Sequence, residues 1–315
     1  MARDPSVSDS EALAREFSEK FSYDALIQSA KDRLVLSDEE FTKLLVEALY
    51  ANVRSRLDDD QWSDFVNAMG AMQLGRLGLG EWRRFLATFS ATFPNTSAFS
   101  LAEILVDVLD TSIAPDAIVS FNAEPLLMAL INGLLANNIA WPSGTPPHAG
   151  LLKTKFDVVT RGISDRKSGR IPFVFCHGLL PVPGTPGTKL SSHSIDKLIF
   201  SEGAYLQLAN TAFSWQSSMF IDTCLSNTVV FVGLSLTDSN MRRWLAWIQA
   251  NRLQELQSMG THDVESTTHY WIEKVPASTT SKRWIESCVA HMGVRLIWIN
   301  DWKEVGLVFK TLLGL

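Results

Sequence analysis

The sequence predicts an α/β protein, a Rossmann-like, doubly wound and mostly parallel sheet with an N-terminal helical subdomain. Three observations carry this. Residues 1–110 place apolar side chains three and four apart and contain no convincing strand. From Ala117 onward, short uncharged runs rich in β-branched residues alternate with helical segments. Alternation of this kind implies right-handed crossovers and strands covered on both faces. With 315 residues and 46% hydrophobic content, the chain can bury a sizeable core. It divides into a helical region, 1–110, packed on or inserted into the α/β fold, and an α/β region, 111–315.

The helical region is justified first. Ser8 with Glu11 and Ser37 with Glu40 have capping-box spacing, and the run LLVEAL at 44–49 continues the helical period. Further helices are expected over 61–72, 80–89 and 100–109. Gly75, Gly78 and Gly80 lie close together, but in GxxGxG order and after a helical stretch. A phosphate loop needs a strand feeding a helix, so this reads as a helix–helix turn.

Strands begin with 117–122, AIVSFN, followed by a helix over 125–135 with Pro125 in its first turn, where the missing N–H costs nothing. A Pro- and Gly-rich loop, 141–150, leads into LLKTKFDVVTRG, which can hold a second strand. The next strand, 172–178, ends in His177 and Gly178. Residues 178–194 carry three prolines and read as a surface excursion. A short strand over 197–200 and a mostly helical stretch over 202–224 follow. Val229 to Val232 form a buried strand broken by Gly233, and Asp238 or Ser239 caps a helix running to about Leu256. Apolar strands at 268–275 and 294–300 and an amphipathic helix at 303–313 complete the alternation. There is no internal repeat.

Composition narrows the function classes. A formal net charge of −6 argues against free binding to nucleic acid, which calls for a basic face. Cys176, Cys224 and Cys288 are isolated, odd in number and without CxxC spacing, so neither a disulfide framework nor a zinc site is indicated. A reducing cytoplasm is the simplest setting. The N-terminus has no apolar signal region and no run is long enough to span a membrane, so no membrane role is expected.

Three strand ends carry polar groups: Asn122, His177 and the turn from Gly233 to Asn240. Parallel strands bring their carboxyl ends to one sheet edge, where open α/β sheets bind ligands. His177 can act as a base, since imidazole titrates near 6.5, and Gly178 beside it would admit a substrate closely. Asn122 does not titrate but can orient water or a hydroxyl. Each has a plainer reading: a hydrogen-bonded histidine closing a strand, a strand-end turn residue, a glycine needed for a tight turn and an aspartate that only caps. Cys176 and His177, as neighbours in a strand, are expected on opposite faces, which disfavours a thiolate mechanism. His262, Asp263, Glu265 and His269 lie in a polar stretch without HxxxH spacing, and no metal is expected there.

Together these segments resemble the sirtuin-like NAD-hydrolysing family of bacterial anti-phage defence proteins, of the Thoeris-effector kind, over roughly residues 101–315. In AIVSFNAEPLLMAL the register of the family's Thr-x-Asn-Tyr-Asp strand end puts Asn122 on the catalytic Asn. In PFVFCHG, His177 falls on the catalytic His. FSEGAY, with Glu202 and Tyr205, looks like the family's glutamate–tyrosine signature, and FVGLSLTDSN matches Phe-x-Gly-x-Ser-Leu-x-Asp-x-Asn at every specified position. The resemblance implies NAD as substrate, bound across the sheet edge, and cleavage of its nicotinamide–ribose bond without a metal. His177 would be general base and Asn122 would position water or the ribose, while Gly178, Gly233, Ser235, Asp238 and Asn240 would hold the nucleotide. It also implies a homo-oligomer, a separate sensor or activator protein, or both.

Two departures stand against the pattern. The family's Gly-Ala-Gly-x-Ser turn has no counterpart here, so its pyrophosphate donors would come from upstream, from another segment or from another subunit. Ala123 and Glu124 replace Tyr-Asp. The competing readings are an NAD glycohydrolase serving anti-phage defence and a degenerate sirtuin-like subunit that binds a partner or scaffolds an oligomer. Protein deacylation is disfavoured, because no paired-cysteine zinc module is present.

Overall fold

The computed structural model describes residues 23–34, 36–71, 76–94, 96–138, 155–160, 169–180, 182–183, 214–260 and 267–315. The expected cap at Ser8 and Glu11, the loops at 141–150 and 184–194, the strand at 197–200, Glu202, Tyr205 and the group His262, Asp263 and Glu265 lie outside the described residues.

Among the described residues five helices come first: α1 (Tyr23–Leu34), α2 (Asp38–Arg54), α3 (Asp59–Gly70), α4 (Leu79–Thr92) and α5 (Ser97–Val108). The capping box at Ser37 forms as expected. Its hydroxyl accepts the Glu40 N–H, and the Glu40 carboxylate accepts the Ser37 N–H at 3.0 Å. Asp58 and Gln61 build a second such box ahead of α3. Gly78 opens α4 with its N–H donated to the Glu81 carboxylate at 2.8 Å. An acidic side chain thus stands at that helix start, in keeping with a turn and against an anion site.

The α/β part follows: β1 (Ile118–Ser120), α6 (Leu126–Asn138), β2 (Phe156–Val159), β3 (Ile171–Phe175), α7 (Trp215–Ser226), β4 (Val230–Val232), α8 (Ser239–Ser258), β5 (His269–Lys274), α9 (Thr279–Ala290), β6 (Val294–Ile299) and, after a 3₁₀ turn at Trp302–Glu304, α10 (Val305–Leu313). Among the described residues all the strand pairs are parallel, as expected. Hydrogen bonding divides them into two three-stranded ladders, ordered β1-β3-β2 and β4-β5-β6. Helix α9 replaces what the sequence left as an unassigned connection; Ser278 caps it by accepting the Thr280 and Ser281 N–H groups.

Alternation along the strands sorts the cores. Phe173 and Phe175 of β3 face the helical layer, in one cluster with Phe156, Phe65, Trp82, Phe85 and Leu130. Val174 faces the other way, toward Trp215 and Met219 of α7. In the second ladder, Phe231 and Trp271 join Leu245 and Ile248 of α8, while Ile272 and Ile299 pack against Val305 of α10. Phe121, one residue past β1, packs in both the α7-side and α8-side clusters and so bridges the ladders. Helix α10 returns to α5, where a Cβ on Gly306 would stand 3.3 Å from the Ser100 Cβ and carbonyl oxygen. A side chain there would press α5 back by a few tenths of an ångström, so glycine suits this close approach.

Candidate functional site

The chain just past β1 and β3 and the first turns of α7 and α8 enclose a cavity of about 40 Å³. Phe121, Cys176, His177, Gln216, Ser217, Phe220, Asp238, Asn240, Met241 and Trp244 line it. Of the residues expected at the site, His177, Asp238 and Asn240 are brought together here. Asn122, Gly178, Gly233 and Ser235 are not among the lining residues.

His177 arrives through a continuation of the parallel ladder. Beyond the strands, Cys176 N–H donates to the Ser120 carbonyl at 2.9 Å and Leu180 N–H to the Ala123 carbonyl at 2.8 Å. Between them the chain turns, with Gly178 at φ +78° and its N–H on the Phe175 carbonyl. This turn corrects one expectation. Strand β3 ends at Phe175, so alternation does not reach Cys176 and His177, and both face the cavity. A thiolate is still disfavoured, for a different reason: burial pushes the Cys176 thiol up to about 12.

The His177 ring meets Phe121 edge-on, with centroids 5.3 Å apart, and donates a hydrogen bond to the Phe121 main chain. That bond leaves the other ring nitrogen as the acceptor. Burial lowers its pKa to about 4, opposed by the Asp238 carboxylate and by the Phe121 hydrogen bond. At neutral pH the imidazole is therefore uncharged and able to take a proton.

Asp238 is the N-cap of α8. Its Oδ1 accepts the N–H groups of Asn240 and Met241 at 2.9 and 2.8 Å. Those two donors are thereby engaged within the chain, while the carboxylate charge remains beside His177. The Asn240 side-chain carbonyl accepts from Arg243 Nη2 at 3.0 Å, which leaves its amide donors over. Apolar walls complete the cavity: Phe220 lies 5.8 Å from Trp244 and 6.1 Å from Phe121, centroid to centroid.

Sequence reasoning missed Phe121 and the α7 wall. Ser214 caps α7, and Ser217 is locked to it through its own hydroxyl at 2.8 Å. Gln216, half-buried between them, has no hydrogen-bond partner among the described residues and offers a donor and an acceptor to the cavity. The spacing of Ser214 and Ser217 was the available signal, since it marks a helix start, and helix starts face this edge of the sheet.

The remaining candidates sit around the rim. Asn122 is exposed, two residues past β1, with its main-chain carbonyl accepting the Ser120 hydroxyl at 2.9 Å. Gly233 is exposed at φ +67°, and a Cβ there would meet nothing within 4 Å. Its backbone conformation, not crowding by this chain, is what calls for glycine. Ser235 shares a 2.7 Å hydrogen bond with Thr237. Glu124 points away from the cavity lining: its Oε2 accepts the Leu126 N–H at 2.7 Å, and burial raises its pKa.

His269 is a structural histidine. It is buried, its Nδ1 accepts the Val229 N–H at 3.2 Å, and burial with the nearby Arg252 lowers its pKa to about 4. Among the described residues no three His, Cys, Asp or Glu side chains are grouped as a metal requires, and no helix is long and apolar enough to cross a membrane.

The cavity has room for about three water molecules, so it suits the reacting end of a ligand and not a whole dinucleotide. The larger part of such a ligand would extend along the rim past Asn122 or the 233–237 turn. Comparison with known protein families gives a match. A sequence profile described as the SIR2-like domain covers residues 138–297, taking in His177, Gly178, Gly233, Ser235, Asp238 and Asn240 and beginning after Asn122. No curated protein matches the chain. Matched over just over half its length, with parallel ladders and a histidine at their carboxyl edge, the chain belongs to the SIR2-like domain family, whose function is NAD-related.

Proposed function

We propose that this protein is an NAD glycohydrolase, cleaving NAD to nicotinamide and ADP-ribose, and that it serves as a cytoplasmic effector of anti-phage defence. The observation that carries the proposal is the neutral His177 beside the Asp238 carboxylate in an aromatic cavity at the sheet edge.

The nicotinamide ring of NAD is flat and cationic, and Phe121, Phe220 and Trp244 offer faces and edges to such a ring. As the nicotinamide–ribose bond breaks, its electron pair passes to the ring nitrogen and quenches the ring's charge. The ribose becomes oxocarbenium-like, and water adds to the anomeric carbon. His177 takes the proton that this water, or a ribose hydroxyl that activates it, gives up. Asp238 stabilises the imidazolium so formed. The amides of Gln216 and Asn240 orient polar groups of the substrate, and Asn122 engages ribose or water at the rim. No metal enters the scheme.

Assembly into a homo-oligomer, activation by a separate sensor protein, or both belong to the same proposal. Exposed Trp247, Trp284 and Leu307 leave apolar surface compatible with it. The test is to mix purified protein with NAD and follow nicotinamide release, with His177→Ala and Asn122→Ala in parallel and the oligomeric state recorded. Release that needs His177 supports the proposal. Absence of release at every protein concentration and with candidate partners sinks the enzyme reading and leaves the non-catalytic subunit. The defence role is tested by phage plating on cells carrying wild type or His177→Ala.

A further inference from the structure

The turn that presents Asp238 and Asn240 holds the one non-glycine residue with positive φ among the described residues, Leu236 at +49°. Leucine rarely adopts this left-handed conformation, because its Cβ crowds the following carbonyl. Loop flexibility does not account for it, since Leu236 is only 2% exposed and packs in the core with Leu245, Trp271 and Met292. Something must hold the main chain there.

The holding group is Arg242. Its Nη1 donates to the Leu236 carbonyl at 3.2 Å, and its Nη2 donates to the Cys288 carbonyl at 2.8 Å. Cys288 lies in the last turn of α9, where carbonyls lack partners within the helix; the Met292 N–H, which could have reached it, goes to Val289 instead. One planar fork thus ties the strained turn to the end of a helix remote in sequence, at the end where a cation is favoured. The Arg242 N–H also continues α8 by donating to the Asp238 carbonyl at 3.1 Å. A second side chain, Trp271, donates its indole N–H to the Leu234 carbonyl at 2.8 Å.

We infer that Arg242 is a positioning residue: by clamping the carbonyls of Leu236 and Cys288 it fixes the left-handed turn that sets Asp238 and Asn240 against His177. Arg242 is not itself one of the lining residues, and its guanidinium acts through the turn. The catalytic consequence rests on the NAD-cleaving reading above; the clamp itself does not.

The experiment therefore has two independent readouts on Arg242→Ala and Arg242→Lys. The first is amide hydrogen exchange. Residues 234–240 and 289–293 should exchange at least tenfold faster in Arg242→Ala, while α5 and β5 keep wild-type protection. Arg242→Lys, whose single ammonium cannot fork to both carbonyls, should fall between. The second is NAD cleavage, where kcat should drop at least tenfold with a smaller change in KM, and where guanidinium added at millimolar concentration should restore part of the loss in Arg242→Ala but none in His177→Ala. Faster exchange spread evenly over the chain, or unchanged exchange at the turn, overturns the inference, as does a loosened turn with unaltered kcat and KM. If the wild type releases no nicotinamide, the functional reading fails alone, and exchange still decides the clamp. If Arg242→Ala does not fold, Arg242→Lys carries both readouts.

Discussion

The turns that follow β4 and β1 reach the same sheet edge by opposite means. After β4, the chain secures nearly every polar group with its own partners: Trp271 and Arg242 hold two carbonyls, Asp238 caps α8, and Ser235 pairs with Thr237. After β1, Phe121 lines the cavity, while Asn122 next to it stands exposed. One wall is built before any ligand arrives, and the other holds an exposed amide without a partner among the described residues, whose interactions a ligand would supply. Preorganised groups stabilise a transition state without reorganisation, whereas exposed ones act only once binding orders them.

The sharpest way to break this comparison is to delete one side chain from the prebuilt site and one from the exposed rim. His177→Ala should lower nicotinamide release by about 10²–10⁴-fold, the range for loss of a general base, and Asn122→Ala by less, seen mainly in KM. Equal losses in kcat would mean that Asn122 is drawn into the reacting geometry as fully as His177.

Acid stability sharpens the same contrast between prebuilt and exposed groups. His177 and His269 titrate at about 4 when folded, below the ordinary 6.5, because both are buried neutral. Between those values the unfolded chain binds more protons, so stability falls as pH drops from 6.5 toward 4 and is flat above. Each histidine contributes on the order of 2–3 kcal/mol at neutral pH, which urea melts across that window will measure. His269→Gln should remove about half of the slope attributable to the pair.

Asp238 separates capping from charge. Asp238→Asn keeps a capping side chain and should leave the thermal midpoint nearly unchanged while lowering kcat about tenfold, the scale of one charge interaction of about 1.4 kcal/mol. Asp238→Ala should add a stability loss of about 1 kcal/mol. The smallest effect belongs to Gln216→Ala, expected to raise KM a few fold with stability within about 0.5 kcal/mol. A fall in kcat instead would move Gln216 from substrate holding to the reacting atoms.

Much of this architecture was legible in the sequence where one local rule dominated. The Ser37 and Asp238 caps, the parallel strand runs and the break at Gly233 each follow from a side-chain preference that tertiary context did not overrule. His177 could be placed at a strand end by the same logic. What escaped depended on where a strand stops by one or two residues. Cys176 and His177 share the cavity because β3 ends before them, and Asn122 lies on the rim because β1 ends at Ser120. Helix α9 escaped because TTSKRWIESCVA is mostly polar and buries only Val289. The α7 wall escaped because Gln216 carries no signature apart from its position in a first turn.

The contact of Gly306 with Ser100 has a temporal side. It joins residues separated by roughly 200 positions, among the costliest closures the chain makes. During synthesis at about 5–20 residues per second, the face of α5 that receives α10 waits ten seconds or more for its cover. Helix α10 seals a layer made roughly 200 residues earlier, so the order of synthesis makes this contact a late step relative to the packing within that layer.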